Sequence, residues 1–353
     1  MSKLRVLVVE DSLTVRMRLC EILAADSDIE VVGEAEDGKL AIELCLALRP
    51  NVITLDMMLP VMSGLAVTEY VMAHRPTPIL VVSSSINRGE LFKTYEALAA
   101  GAVEVMEKPL ADDMDGDWER RFVSMVKLVA RVQVITHLRA LRDARREPAP
   151  VRVSSRPSGR ACELIAIGAS TGGPRAVVEV LQALPATLPL PVLLVVHIGA
   201  PFGEAFAEWL DGQTAHAVRF ATDGQSLAAP GVFLAPPDRH LVAQKNRLHL
   251  SDGPQRHSCR PSVDVLFESI AAECGAATAA CLLTGMGNDG ARGLLAIRQA
   301  GGMTIAQDEA TSVVYGMPRE AALLGAAQSV LPLAQIGPAL AALAQGARPG
   351  GLA

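Results

Sequence analysis

Ser170, His197 and Asp289 each stand just beyond a short apolar run, and together they are residue types that can hydrolyse an acyl bond. The serine lies in Gly168-Ala169-Ser170-Thr171-Gly172-Gly173-Pro174, between a strand-like run and a helix-like segment. Glycines there allow a tight turn that leaves backbone N–H groups near the hydroxyl, and Pro174 suits a first helical turn. His197 follows Val192–Val196, and Asp289 lies in Thr284-Gly285-Met286-Gly287-Asn288-Asp289-Gly290 after Cys281–Leu283. In this reading His197 takes the Ser170 proton and Asp289 holds the imidazole in one tautomer. Backbone N–H groups of either glycine-rich loop, at Thr171 or around Met286, can form an oxyanion hole, and the Met286 loop is preferred.

Residues Gly168 to Gly172 also spell G-x-S-x-G, the elbow of α/β-hydrolases, whose triad runs Ser, Asp/Glu, His. The last histidine of this chain, His257, precedes Asp289, so the preferred order is Ser, His, Asp. The hydrolase order would need a trio such as Ser170, Asp238 and His257 in a loop-rich region.

A second constellation lies in the first third. Glu10 and Asp11 end one apolar run, Asp56 ends another, Ser83 a third, and Lys108 follows a fourth. Three carboxylates in one pocket repel one another unless a cation joins them, and hard oxygen ligands suit Mg²⁺. An aspartate so placed can attack a phosphoryl group while the metal and Lys108 neutralise the developing charge.

Both constellations require elements that converge at one edge. Strands are predicted at Val6–Val9, Val31–Glu34, Val52–Leu55, Ile79–Val82 and Val103–Met106, alternating with helices at Thr14–Ala25, Lys39–Leu48, Leu65–His74 and Glu90–Ala100. Such alternation predicts a doubly wound parallel sheet with its site at the carboxyl ends of the strands. Trp118–Arg146 reads as a long amphipathic helix, and Glu147–Arg160 as a Pro-, Ser- and Arg-rich linker. Beyond it, strands are predicted at Leu164–Ile167, Val192–Val196, Cys281–Leu283 and Met303–Ala306. Helices are predicted at Pro174–Leu184, Val263–Cys274 and Ala291–Ala300, and a β-hairpin around Lys245-Asn246-Arg247. The expected architecture is therefore α/β throughout: two doubly wound parallel-sheet domains, at 1–110 and 161–347, joined by a helix and linker at 111–160.

Composition agrees. The 353 residues exceed one ordinary core. Half are hydrophobic but only 3% aromatic, so Ala, Val, Leu and Ile must build the interior. A net charge of −6 argues against a nucleic-acid partner. Six scattered cysteines without metal-ligand spacing read as free thiols in a reducing compartment. With no signal-like N-terminus and no bilayer-length apolar stretch, the expectation is a cytoplasmic protein that is not membrane-inserted.

The segment Lys3–Leu110 resembles response-regulator receiver domains, which are flavodoxin-like. That resemblance implies that Glu10, Asp11 and Asp56 bind Mg²⁺, that Asp56 accepts a phosphoryl group from a histidine kinase, that Ser83 senses it and that Lys108 contacts it. Val105 stands where receivers often carry an aromatic switch residue. The second half, with GASTGGP, HI at 197–198, APPDRHL at 235–241, RPSVDVLFES at 260–269, LLTGMGNDGA at 282–291 and AQDEATSVVYGMPR at 306–319, resembles the catalytic domain of chemotaxis protein-glutamate methylesterases, a Rossmann-like serine hydrolase. This implies Ser170, His197 and Asp289 as the triad, with Met286 at the oxyanion site and no cofactor for the esterase. The implied substrates are glutamyl methyl esters on the cytoplasmic helices of chemoreceptors, with deamidation of receptor glutamines as a second activity. The implied partners are a chemotaxis-type histidine kinase and methyl-accepting chemoreceptors, and the implied role is sensory adaptation.

After His197 the family pattern is broken by Gly203 and Trp209, where a threonine and an arginine are usual, which bears on substrate docking and receptor identity more than on the chemistry. The expected control is occlusion of the Ser170 site by the unphosphorylated receiver. The competing reading is a response regulator with a binding or transcription output, and the absence of a basic C-terminal domain weakens it.

Overall fold

The computed structural model describes residues 3–84, 88–108, 116–132 and 161–345. The chain forms two compact units.

In the first unit the order is β1 (Leu4–Val9), α1 (Leu13–Ala24), β2 (Ile29–Ala35), α2 (Gly38–Leu48), β3 (Val52–Leu55), α3 (Gly64–His74), β4 (Ile79–Ser83), α4 (Arg88–Ala100), β5 (Glu104–Glu107) and α5 (Asp117–Val129). The sheet order is β2-β1-β3-β4-β5 with every pair parallel. Its central strands are buried on both faces, which is why they read as continuous apolar runs rather than alternating ones. Asp37 and Ser63 cap α2 and α3 by accepting from Leu40 N and Ala66 N. A side chain at Gly64 would meet the carbonyl oxygen of Asp56 at 2.3 Å, so glycine lets this loop fold tightly against the end of β3.

The first unit extends past the expected boundary at 110. Trp118, Phe122, Val126 and Val129 are buried at helical spacing along α5. The Trp118 indole donates to the Glu107 carbonyl at 2.8 Å and stacks on Phe122, while Lys127 pairs with Asp26 and Asp28 at 2.8 and 3.0 Å. Helix α5 is thus the fifth helix of this unit rather than the start of a connector, because its apolar stripe is covered by the same sheet. The rest of the predicted Trp118–Arg146 helix, and the linker, lie outside the described residues.

The second unit runs β6 (Leu164–Ala169), α6 (Gly173–Gln182), β7 (Pro191–Val196), α7 (Ala200–Gln213), β8 (Val218–Phe220), β9 (Gly231–Leu234), β10 (His240–Gln244), β11 (Arg247–Ser251), α8 (Val263–Glu273), a 3₁₀ turn, β12 (Thr278–Leu282), α9 (Ala291–Gln299), β13 (Met303–Gln307), α10 (Met317–Leu323), β14 (Ser329–Leu331) and α11 (Leu333–Ala344). Seven strands form a parallel sheet ordered β14-β13-β12-β6-β7-β9-β8. The chain leaves β6 toward β7 and later returns to pair β12 on the other side of β6. That reversal is a topological switch point, where open α/β sheets form their crevice. The hairpin is β10–β11, closed by Lys245 and Asn246, both left-handed (φ 51° and 56°), the geometry of a two-residue type I′ turn. It docks on α8 through Ala243 N to Ser269 Oγ at 2.9 Å and Asn246 N to Glu273 Oε1 at 2.6 Å. Helices α7, α10 and α11 and the short strands β8, β9 and β14 go beyond the elements predicted from sequence.

Candidate active site and carboxylate pocket

In the second unit β12, β6 and β7 are adjacent, so the loops bearing Asp289, Ser170 and His197 leave the same edge of the sheet side by side. Backbone bonds lock them: His197 N donates to Ala169 O at 3.0 Å, and Ser170 N donates to Thr284 O at 3.0 Å. Gly285 carries the closest approach, since a Cβ there would lie 2.7 Å from Ser170 Cβ and 2.3 Å from Met317 Sδ. Gly172, left-handed at φ 75°, turns the chain from Ser170 into α6.

His197 Nε2 lies 2.9 Å from Asp289 Oδ2. With Nε2–H donated to the carboxylate, Nδ1 carries the free lone pair and is the ring's basic nitrogen. Ser170 Oγ has no hydrogen-bond partner among the described residues, and the neighbour of Nδ1 is Cys259 Sγ at 3.7 Å. Burial opposes the charged imidazole, but the Asp289 hydrogen bond and the nearby Cys259 outweigh it and push the His197 pKa up to about 9.

Asp289 is the most elaborately held group. It is 2% exposed. Its Oδ1 accepts from Ser262 Oγ at 2.7 Å and Asp264 N at 3.0 Å, and its Oδ2 accepts from Val263 N at 2.7 Å besides His197. The first turn of α8 therefore points its unpaired amides at this carboxylate, and the helix dipole adds to them. Burial raises the Asp289 pKa, yet His197 and these donors hold it below the usual carboxylate range.

The backbone N–H groups of Thr171 and Met286 donate to no acceptor among the described residues, leaving both glycine-rich loops able to offer oxyanion donors. Thr284 ties those loops together, its hydroxyl donating to Thr171 O at 3.0 Å and accepting from Val314 N at 2.9 Å. The alternative trio does not assemble: His257 Nε2 sits 3.0 Å from Asp264 Oδ2, and the Asp264 carboxylate also accepts from Gly293 N.

In the first unit Glu10, Asp56, Ser83 and Lys108 all sit at the carboxyl edge. Lys108 Nζ lies 2.9 Å from Asp56 Oδ2 and 3.0 Å from Glu10 Oε2, though the latter oxygen forms no aligned hydrogen bond. Burial, then repulsion from Asp56, pushes the Glu10 carboxyl up to about 7 against the pull of Lys108. Burial likewise raises Asp56. Burial works against the Lys108 charge, but Asp56 and Glu10 outweigh it and raise its pKa. Ligand oxygens of Glu10, Asp11 and Asp56 lie within 4.8 Å of one another. This surplus of buried negative charge, with an unaligned oxygen on Glu10, fits a hard divalent cation. Ser83 Oγ donates to Glu90 Oε1 at 2.7 Å.

Comparisons with known proteins match both units of the chain. Residues 165–340 match the CheB methylesterase family model and residues 6–114 the response regulator receiver domain model. The chain is 43% identical over 337 residues, 96% of both chains, to protein-glutamate methylesterase/protein-glutamine glutaminase 2 of Anaeromyxobacter dehalogenans. It is 44% identical over 352 residues to the Pseudomonas aeruginosa protein of the same name, covering 98% of this chain and 97% of that one. The chain belongs to the CheB methylesterase family. Among solved structures, the Thermotoga maritima CheB methylesterase catalytic domain matches with a TM-score of 0.50 and 35% identity, covering 52% of this chain and 99% of that one.

Two departures from the family's usual pattern acquire a physical reason. Trp209 is buried and stacks on Phe206, so it fills the core beneath α7 rather than facing a substrate. Gly203 lies so close to Pro237 that a Cβ would come within 2.4 Å of its ring, and the expected threonine has no room there. Both residues thus have a packing role within the second unit. Sequence reasoning missed the roles of Ser262 and Asp264, although Ser262 ahead of an apolar run is a helix-cap signal.

Proposed function

We propose that this chain is a phosphorylation-controlled serine hydrolase that removes methyl groups from glutamyl methyl esters of chemoreceptors. The observation that carries the reading is the His197–Asp289 pair at 2.9 Å, set beside the Ser170 loop on one sheet edge of a CheB-family domain. In the proposed reaction Ser170 Oγ attacks the ester carbonyl carbon while His197 Nδ1 takes its proton. Amides at Thr171 and Met286 stabilise the oxyanion. The imidazolium then protonates the departing methoxide oxygen, releasing methanol. Water, deprotonated by His197 Nδ1, attacks the acyl-serine carbonyl, and the proton returns to Ser170 Oγ as the glutamyl carboxylate leaves. A glutamine side chain at the same position would lose ammonia, which matches the double name carried by the relatives.

In the first unit Asp56 is the proposed phosphoacceptor. Glu10, Asp11 and Asp56 would hold Mg²⁺, which supplies counter-charge for the incoming phosphoryl group. Lys108 adds a fixed positive charge, and Ser83 must leave Glu90 to reach the phosphoryl oxygens. The phosphodonor is a chemotaxis-type histidine kinase and the setting is cytoplasmic; among the described residues no helix is long and apolar enough to cross a membrane. The test is methanol release from a methylated receptor fragment, with and without a small-molecule phosphodonor and Mg²⁺. Release that is absent in both conditions removes the reading. Release that ignores the phosphodonor removes only the control.

A further inference from the structure

Cys259 is a thiol that the proposed hydrolysis does not use, yet its sulfur lies within hydrogen-bond reach of the basic nitrogen of His197 and of the His257 carbonyl. It is half-buried, and its Sγ lies 3.7 Å from Nδ1. A tight turn presents it: Arg256 and Cys259 exchange backbone hydrogen bonds of 2.9 and 3.1 Å across His257 and Ser258, both left-handed at φ 52° and 60°. The opposite ring nitrogen is held by Asp289, itself fixed by Ser262 and the first amides of α8. Nucleophile, base and an orienting acid in contact are the signature of an activated nucleophile.

The other thiols lack this setting. Cys45 and Cys281 are buried, and burial pushes the Cys20, Cys162 and Cys274 thiols up. Thiolates react with disulfides where access and a nearby base coincide.

We propose that Cys259, His197 and Asp289 form a second nucleophilic site, which takes low-molecular-weight disulfides and reversibly shuts the hydrolase. His197 Nδ1 accepts the Cys259 proton. The thiolate attacks one sulfur of R–S–S–R, so the Cys259–S bond forms and the original S–S bond breaks. The leaving RS⁻ takes up the proton from the imidazolium. Cys259 is oxidised, and half of the disulfide is reduced to RSH. The bound RS group then occupies the space before Nδ1 that Ser170 needs. The block on hydrolysis rests on the proposed function, whereas formation of the adduct does not.

The experiment exposes the full chain to oxidised glutathione and maps adducts by peptide mass. Cys259 is expected to be modified at least tenfold faster than the same thiol in the urea-unfolded chain, and faster than Cys162. His197→Gln is expected to slow it about tenfold, Ser170→Ala to leave it modified, and dithiothreitol to reverse it. Modification no faster than in the unfolded chain, or first at another cysteine, overturns the site whether or not the variants fold. If methyl ester hydrolysis is observed, treated protein should lose at least tenfold activity relative to untreated protein, while treated and untreated Cys259→Ser remain equal. An adduct that leaves hydrolysis intact overturns the shut-off. Absence of hydrolysis in untreated protein counts against the proposed function alone.

Discussion

His197 and Asp289 meet through Nε2 and Oδ2 at 2.9 Å, and this choice of nitrogen leaves Nδ1 as the free basic nitrogen of the ring. It also divides labour around Asp289. One oxygen faces Ser262 and Asp264 N, and the other is shared by Val263 N and the imidazole.

Separate lesions should therefore separate the two halves. Ser170→Ala is expected to lower ester hydrolysis on the order of 10⁶-fold while leaving phosphorylation intact. Asp289→Asn should cost about 10⁴-fold, since nucleophile and oxyanion donors remain. Asp56→Asn should keep a basal rate and abolish its response to phosphodonor. Methanol release and phosphate incorporation, measured in parallel on all three, check this.

The pH profile follows from the raised His197 pKa. A base must be neutral to act, so kcat/KM should climb with pH and level off only above about 9. Stability runs the other way. A folded pKa above the unfolded value contributes stability that is complete below the unfolded value and fades as pH rises through about 9. Wild type should thus lose its stability advantage over His197→Gln between pH 7 and 9, measured by urea unfolding, while its activity is still rising.

Ser262→Ala removes a 2.7 Å bond to a buried carboxylate and also the cap of α8. A hydrogen bond to a charged group contributes roughly 1.5–3 kcal/mol, so kcat should fall about tenfold or more. Ser262→Thr should restore most of it, because the hydroxyl survives. The kcat and KM of the two variants distinguish positioning of Asp289 from loss of substrate binding.

The carboxylate pocket makes a metal prediction. Glu10→Gln removes one of three clustered carboxylates and relieves part of their repulsion. Mg²⁺ affinity should drop by about 10- to 100-fold, followed by fluorescence of Trp118, whose indole bonds to Glu107 next to Lys108. Thermal stability without Mg²⁺ should rise or stay unchanged.

Helix α5 offers a test of the domain boundary. Phe122 is fully buried, so Phe122→Ala should destabilise a fragment of residues 1–132 by about 3–5 kcal/mol. A fragment ending at 110 should be less stable still, because the apolar face that α5 covers is left open to water.

Much of this was legible in one dimension. Parallel strands buried on both faces are written as unbroken apolar runs, so Val6–Val9, Val52–Leu55 and Val192–Val196 could be placed by inspection. Positions at their carboxyl ends followed from topology, which is how Asp56 could be grouped with Lys108, and His197 with Asp289. The hairpin around Lys245-Asn246-Arg247 was likewise a local signal, whereas its two-residue turn type came from the structure.

What the tertiary structure alone decided was set by contacts between residues distant in sequence. Trp118 and Phe122 join the first unit because a sheet built from residues 4–107 covers them. Trp209 and Gly203 are core residues because Phe206 and Pro237 close over them. The free ring nitrogen of His197 is Nδ1 because Asp289, 92 residues away, holds the other. Cys259 had been one of six scattered thiols, and it became a neighbour of that nitrogen only when a loop 62 residues from His197 folded onto it. Residue type and periodicity specify which chemistry a chain can hold. Which atoms meet is fixed by packing, whose long-range contacts leave no local pattern in the sequence.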